Sequence, residues 1–392
     1  MSAPPVPHPL QWDLFCRVID NHGDLGVCWR LACGLAARGQ QVRLWVDDAS
    51  ALAWMAPDGA AGVTVLAWPA AHTPLPMPGQ VVVEAFGCDP PEAFVAAMAA
   101  MASPPVWINL EYLSAEDYVE RSHGLASPRF AEPGRGLMKW FFYPGFTPAT
   151  GGLLRGPEAA AVPAGPEAMA ALEAPAALAA AGTLQAQATQ AARGATATAG
   201  ARPALPAAAG PLRPGEMAVS LFCYPQPPAL PALVQALAQR PVVWLATPGA
   251  AQQALQRQAL PPGHRQVALP WLSQADYSRL LQACDLNLVR GEDSIVQALW
   301  AGAPWLWHLY PQHDGAHGPK LQALLDRHLA GAEPALALAV RAWMRAWNAL
   351  AAPPTALPPW WAWQQQALRW RKQLLAQPDL VSQLLEFVAE KR

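Results

Sequence analysis

No phenylalanine, tyrosine or tryptophan occurs between Phe146 and Phe222, although the chain holds 18 tryptophans among its 392 residues. Large aromatic side chains bring much of the apolar area that offsets the entropy of ordering a backbone. Within the gap, residues 157–214 are mostly Ala, Pro, Gly, Gln and Thr in irregular order. Such a stretch buries too little area for a core of its own, so it reads as a linker or surface insertion, partly disordered. An aromatic-rich region remains on each side, and each must build a separate core. The length suits two ordinary domains. The expected division is 1–156 for a first domain, 157–214 for the linker, 215–358 for a second domain and 359–392 for a helix packing back on the first.

Both regions alternate short apolar runs with helical patterns. WDLFCRVI reads as a buried strand, DNHGDLG as a turn, VCWRLACGLAARG as a helix closing at Gly39, and QVRLWV as a second strand. This β–loop–α–β unit opens a doubly wound domain. Further strands are expected at 63–66, 81–85, 106–110 and 140–146. Beyond the linker, strands at 218–224, 242–246, 266–269, 285–289 and 304–308 alternate with helices at 229–238, 250–260, 274–284 and 294–301. Such alternation implies parallel sheets covered on both faces. Two α/β domains of this kind in one chain point to the GT-B glycosyltransferase architecture, in which Rossmann-like domains face each other across a ligand-binding cleft.

Hydrophobic residues make up 53% of the chain and charged residues 14%, with a net charge of -2. That balance excludes global disorder and lacks the basic footprint of a general nucleic-acid binder. The six cysteines (Cys16, Cys28, Cys33, Cys88, Cys223 and Cys284) form no CxxC pair and sit in apolar stretches, as reduced core thiols do. With no signal-peptide pattern at the start and no convincing membrane span, a cytoplasmic protein is expected.

Three clusters carry candidate chemistry. Asp20 and Asp24 flank Asn21, His22 and Gly23 at the end of the first strand. Two carboxylates in one short loop can serve as a general base and its partner, and glycine there lets the backbone approach a ligand. The plainer alternative is that Asp24 caps the next helix. The loop is not GxGxxG, and no Walker A run occurs, so nicotinamide and P-loop readings lack their signature. The second cluster, Arg290-Gly291-Glu292-Asp293-Ser294, follows the apolar run DLNLV. A strand, a glycine turn and a helix start at Ser294 would aim free N–H groups at a phosphate. Arg290 can neutralise a pyrophosphate, and Glu292 or Asp293 can accept from ribose hydroxyls. Third, Phe222 and Tyr224 end a predicted strand and Trp271 follows another, with Gln274 opening the next helix. Flat apolar surface with polar groups at its edge suits a nucleobase, whereas core packing is the commoner fate of aromatics. His313 and His317 stand four apart, but glycines beside them disfavour a helix and no third ligand is evident, so no metal site is expected.

Together, FCRVIDNHGDLGVCWRL, VRLWVDD, VVVEAFGCD, INLEYLSAEDY, FFYPGFTPATGGLLR, SLFCYP, LVRGEDSIVQALWAG and WHLYPQ resemble the EarP family, arginine rhamnosyltransferases acting on bacterial elongation factor P. The matches span residues 12–155 and 219–325. The resemblance implies a GT-B fold, dTDP-β-L-rhamnose as donor substrate without a further cofactor or metal, and inverting transfer to one arginine in the factor's N-terminal domain. It implies Asp20 as catalytic base, Asp24 and Glu292 as further catalytic carboxylates, and donor contacts from Asn21, Gly23, Phe222, Tyr224, Trp271, Gln274, Arg290, Glu292, Asp293 and Ser294. A monomer is expected. Three positions depart from the family pattern: His22 replaces Phe or Tyr, Ile295 replaces Phe, and Ser273 replaces Pro. Two other readings remain open: a GT-B transferase with another acceptor, and a non-catalytic nucleotide-sugar sensor or adaptor.

Overall fold

The computed structural model describes residues 9–19, 22–68, 75–156, 159, 204–310, 315 and 317–392. Asp20, Asn21 and His313, and the expected linker up to residue 203 apart from Ala159, lie outside the described residues.

The first domain is a seven-stranded sheet in the order β3-β2-β1-β4-β5-β7-β6. Its strands are β1 (Gln11–Cys16), β2 (Gln41–Val46), β3 (Val63–Ala67), β4 (Val81–Ala85), β5 (Val106–Leu110), β6 (Ala126–Pro128) and β7 (Met138–Phe142). All pairs are parallel except β6 with β7. Every residue of β4 and β5 is buried, which is why VVVEA and VWINL show no polar alternation. The helices are α1 (Gly23–Ala36), α2 (Leu52–Met55), α3 (Glu92–Ala99) and α4 (Asp117–Ser122). One face of the sheet packs α1 through Leu25, Cys28, Leu31 and Leu35, and the other packs α3 through Phe94, Val95 and Met98. All the strands expected from sequence are present, but the one expected at 140–146 is β7, which ends at Phe142. There the chain curls back, with Gly151 N–H on Tyr143 O and Gly145 N–H on Gly152 O. The short antiparallel β6 had no alternation to betray it.

The second domain is a five-stranded parallel sheet in the order β10-β9-β8-β11-β12. It comprises β8 (Met217–Leu221), β9 (Val242–Ala246), β10 (His264–Ala268), β11 (Leu286–Arg290) and β12 (Trp305–His308). Its helices are α5 (Leu230–Ala236), α6 (Ala250–Gln256), α7 (Gln274–Ala283), α8 (Gly291–Ala301), α9 (His317–His328) and α10 (Pro334–Trp347). Ser273, where the family pattern has proline, caps α7: its Oγ accepts from Asp276 N at 3.1 Å. The departure at 295 puts a wholly buried isoleucine in the core.

The segment expected as one C-terminal helix is two, α11 (Trp360–Leu375) and α12 (Leu380–Lys391). Pro378 lacks the N–H a continuing helix needs, and Asp379 starts α12 by accepting from Val381 N and Ser382 N at 3.0 and 3.2 Å. The two helices serve different domains. Trp363, Trp370 and Leu374 of α11 join the second-domain core, whereas Leu380, Val381, Leu384 and Val388 of α12 join the first. Gly34 lets α12 approach α1 closely, since a Cβ there would lie 2.8 Å from Val381 Cγ2.

Among the parallel strands the order reverses between β1 and β4 in the first sheet and between β8 and β11 in the second. Loops at the strand C-terminal ends diverge at such a point and leave a crevice. The two crevices meet across an interdomain seam, the GT-B arrangement.

Candidate active site at the interdomain seam

On the first-domain side, α1 starts at Gly23, so Asp24 lies in its first turn and His22 is the N-cap, without a side-chain capping bond. The base candidate Asp20 precedes it, outside the described residues. After β4, Phe86 adopts a left-handed φ of 58° and stacks on Tyr112, with centroids 4.4 Å apart and planes 17° apart. Asn109, at the end of β5, accepts from Gly87 N at 3.2 Å and donates through Nδ2 to Glu111 Oε1 at 2.8 Å. Burial raises the Glu111 carboxyl above the usual carboxylate range, and the Asn109 bond partly offsets it. Tyr112 is pushed up by burial and then by the charges of Asp24, Glu292 and Glu111. Carboxylates from the first turn of α1, the end of β5 and the first turn of α8 thus all act on one tyrosine.

On the second-domain side, Phe222 and Tyr224 follow β8. The Arg290 guanidinium, ending β11, lies over both rings at 4.6 and 4.7 Å. The stack fixes a cation at the crevice mouth. Tyr224 N–H donates to His308 Nδ1 at 3.3 Å. Burial, then the Arg290 charge, depresses His308 to about 4, so it stays a neutral acceptor. Gly291, at φ 69°, makes the turn into α8. The helix therefore begins three residues before the start expected at Ser294, and Glu292 and Asp293 fall in its first turn. Carboxylates there complement the helix dipole. Ser294 is consequently a buried residue inside the helix rather than its N-terminus.

The seam engages several expected donor contacts with protein partners. Glu292 accepts from Leu113 N at 2.7 Å and pairs with Lys320 of α9. Asp293 pairs with Arg30 of α1 at 2.6 Å and accepts from Gln297 at 2.7 Å. Gln274 Nε2 donates to Gly26 O at 3.0 Å. Arg327 of α9 donates to Ala115 O at 2.6 Å and to Asp117 and Glu120. Trp271 finds its ring partners, Trp54 and His22, in the first domain. A partly open cleft remains, lined among others by Arg30, Phe86, Glu111, Glu292 and Asp293.

The structure therefore brings Arg290, Phe222, Tyr224 and the α8 start together at one crevice, sets Asp24 where its charge acts on Tyr112, and sets Trp271 and Gln274 against the first domain. Sequence reasoning missed Arg30, Glu111 and Lys320. Arg30 had a signal, a single cation inside the apolar helix VCWRLACGLA, which must meet an anion. Glu111 lay in a quoted motif without an assigned role, and Lys320 offered no signal, because its partner is 28 residues away. Among the described residues no group of three or more His, Cys, Asp or Glu side chains is placed to hold a metal ion, and no helix is long and apolar enough to cross a membrane.

Comparisons with known proteins bear on this geometry. The model of the family described as Elongation-Factor P (EF-P) rhamnosyltransferase EarP matches residues 12–389. A protein-arginine rhamnosyltransferase of Pseudomonas putida is 42% identical, covering 96% of this chain and 98% of its own length. One from Pseudomonas aeruginosa is 38% identical, covering 97% and 99%. A solved structure, described as the structural basis for EarP-mediated arginine glycosylation of translation elongation factor EF-P, is 29% identical and aligns over 98% of this chain and 100% of that one, with a TM-score of 0.59. With a family match from the first strand to the last helix and two Rossmann-like domains meeting at a seam, the chain belongs to the EarP family of protein-arginine rhamnosyltransferases.

Proposed function

We propose that the protein moves L-rhamnose from dTDP-β-L-rhamnose to a guanidinium nitrogen of one arginine in the N-terminal domain of elongation factor P, inverting the anomeric carbon and activating the factor for translation of stalled polyproline sequences. The observation that carries this reading is the pair of unlike binding surfaces that meet at the seam. The first domain offers Asp24 and Glu111 beside the stacked Phe86–Tyr112 pair. A guanidinium is planar and cationic, and it binds through stacking and carboxylates. The second domain offers the stacked Arg290 and the uncapped start of α8, which suit a diphosphate.

In the proposed step, a guanidinium nitrogen attacks the anomeric carbon from the side opposite dTDP. The new C–N bond forms as the bond to the diphosphate oxygen breaks, and the electron pair leaves with dTDP. The arginine must lose a proton, and its pKa above ~12 makes it a poor nucleophile unless a base takes that proton. Asp20 is that base in this reading, with Asp24 holding the guanidinium. Arg290 and the α8 N–H groups oppose the charge growing on the diphosphate. Closure of the seam keeps water from the donor.

The test is the intact mass of elongation factor P after incubation with the protein and dTDP-rhamnose. A gain of one deoxyhexose, lost when the target arginine is changed to lysine, is the expected result. No gain, with dTDP still bound, would favour another acceptor or the sensor reading instead.

A further inference from the structure

We infer that Trp54 is a positioning residue for nucleobase binding: with His22 it holds the Trp271 indole from across the seam, so the platform for the base is completed only when the two domains meet. This inference rests on the donor reading above.

Trp271 lies in the irregular stretch between β10 and α7, and 55% of it is exposed. Its ring partners come from the other domain. The Trp54 ring of α2 lies 4.6 Å from it, tilted by 34°. His22 meets both indoles edge-on, at 5.5 Å from Trp54 and 6.2 Å from Trp271. These separations lie within the range of favourable aromatic pairs. Trp54 is itself anchored, packed against the first-domain core. Beside the cluster the backbones approach closely: a Cβ on Gly26 would lie 3.1 Å from Gln274 Nε2 and 3.3 Å from Asp293 Oδ2.

An indole has two faces. Trp54 packs against Trp271 at a tilt, and the indole still keeps more than half of its surface exposed, enough for a flat ligand to stack on. An unsupported exposed tryptophan loses rotamer freedom when a base stacks on it, and that loss weakens binding. A ring already held by Trp54 and His22 has less freedom to lose. The base is thereby coupled to domain closure, although Trp54 need not touch it.

The test titrates dTDP and inorganic pyrophosphate separately into the full-length protein and its variants. Trp54→Leu keeps apolar bulk against the core but removes the ring. It is expected to weaken dTDP binding by up to about tenfold, the cost of immobilising one freed side chain, while pyrophosphate binding stays as in the wild type. Trp54→Phe is expected to restore most of the loss. In transfer assays the same loss would appear in KM for the donor, with kcat little changed. Equal dTDP affinity in Trp54→Leu overturns the inference, and tighter binding overturns it by showing that Trp54 competes with the base. A parallel loss of dTDP and pyrophosphate binding also overturns it, because the effect is then on the whole cleft. A wild-type protein that binds no dTDP overturns the donor reading and this inference together, whereas the preceding outcomes leave the donor reading standing.

Discussion

Arg30 interrupts the apolar run of α1, and its side chain is 9% exposed beside an Asp293 side chain that is 12% exposed. Removing one partner takes a close ion pair away from a nearly buried charge, a loss on the order of 3 kcal/mol. Arg30→Ala and Asp293→Ala are therefore expected each to lower the melting temperature, with the double variant less damaged than the sum of the two. Thermal unfolding of all four proteins checks this, and additive losses would show that the pair is not coupled. Asp20 carries a prediction about chemistry instead. Asp20→Asn is expected to abolish transfer while leaving dTDP affinity within about twofold, because a general base acts on the acceptor's proton and not on the nucleotide. Transfer by Asp20→Asn near the wild-type rate would remove it from the role. At this scale the sequence revealed which side chains are chemically able, but not what they face. Glu292 and Asp293 stood out in RGEDS, whereas Leu113 N, Lys320 and Arg30 are brought to them by the fold across gaps that no local pattern spans.

The break between α11 and α12 shows what local pattern can and cannot reveal about an element. The helical character of the segment was legible, because apolar residues recur at helical spacing through both halves. The break lies at Pro378-Asp379, whose ability to stop one helix and start another is a local property. What the pattern withheld was destination, since Trp370 and Leu384 look alike as apolar positions but sit in different cores. Asp379 both caps α12 and accepts from Arg38 Nη2 at 2.8 Å through each oxygen. Asp379→Ala is expected to cost about 1–2 kcal/mol, the usual worth of a lost N-cap. Chemical denaturation checks it, with Asp379→Ser predicted to recover part of the loss. The strands were read more securely than the helix starts, since β9 is an unbroken apolar run and β4 and β5 are each interrupted by one polar residue only, Glu84 and Asn109. The start of α8 was misplaced because the left-handed Gly291 looks like loop in a sequence, although it is the turn into the helix.

For the molecule as a whole, two buried histidines tie stability to pH. His328 lies between Trp305 and Trp370, at 4.9 and 4.6 Å, with neither ring nitrogen hydrogen-bonded, and burial pushes it down to about 3. His308 is held at about 4. In the unfolded chain both titrate near 6.5. Their folded pKa values are depressed, so the stability they contribute is full above about 6.5 and is lost as pH falls toward 4 and 3. The melting temperature is expected to drop from about pH 7 to pH 5, and His328→Phe to flatten that drop. An equally steep drop in His328→Phe would clear this residue of the effect. Two-domain α/β architecture was legible because each half alternates strands and helices around an aromatic-free gap. Closure of the seam was not, because it depends on pairs such as Gln274 with Gly26, 248 residues apart.

The return of α12 to the first domain also sets an order of events during synthesis. The sheet of that domain is complete at β7, yet the face beside α1 lacks Leu380, Val381, Leu384 and Val388 until everything in between has been made. The second domain, including α11, is contiguous from β8 and can close its core first. A nascent chain would therefore carry an apolar first-domain surface through much of its translation, and that surface would be sealed only when α12 emerges.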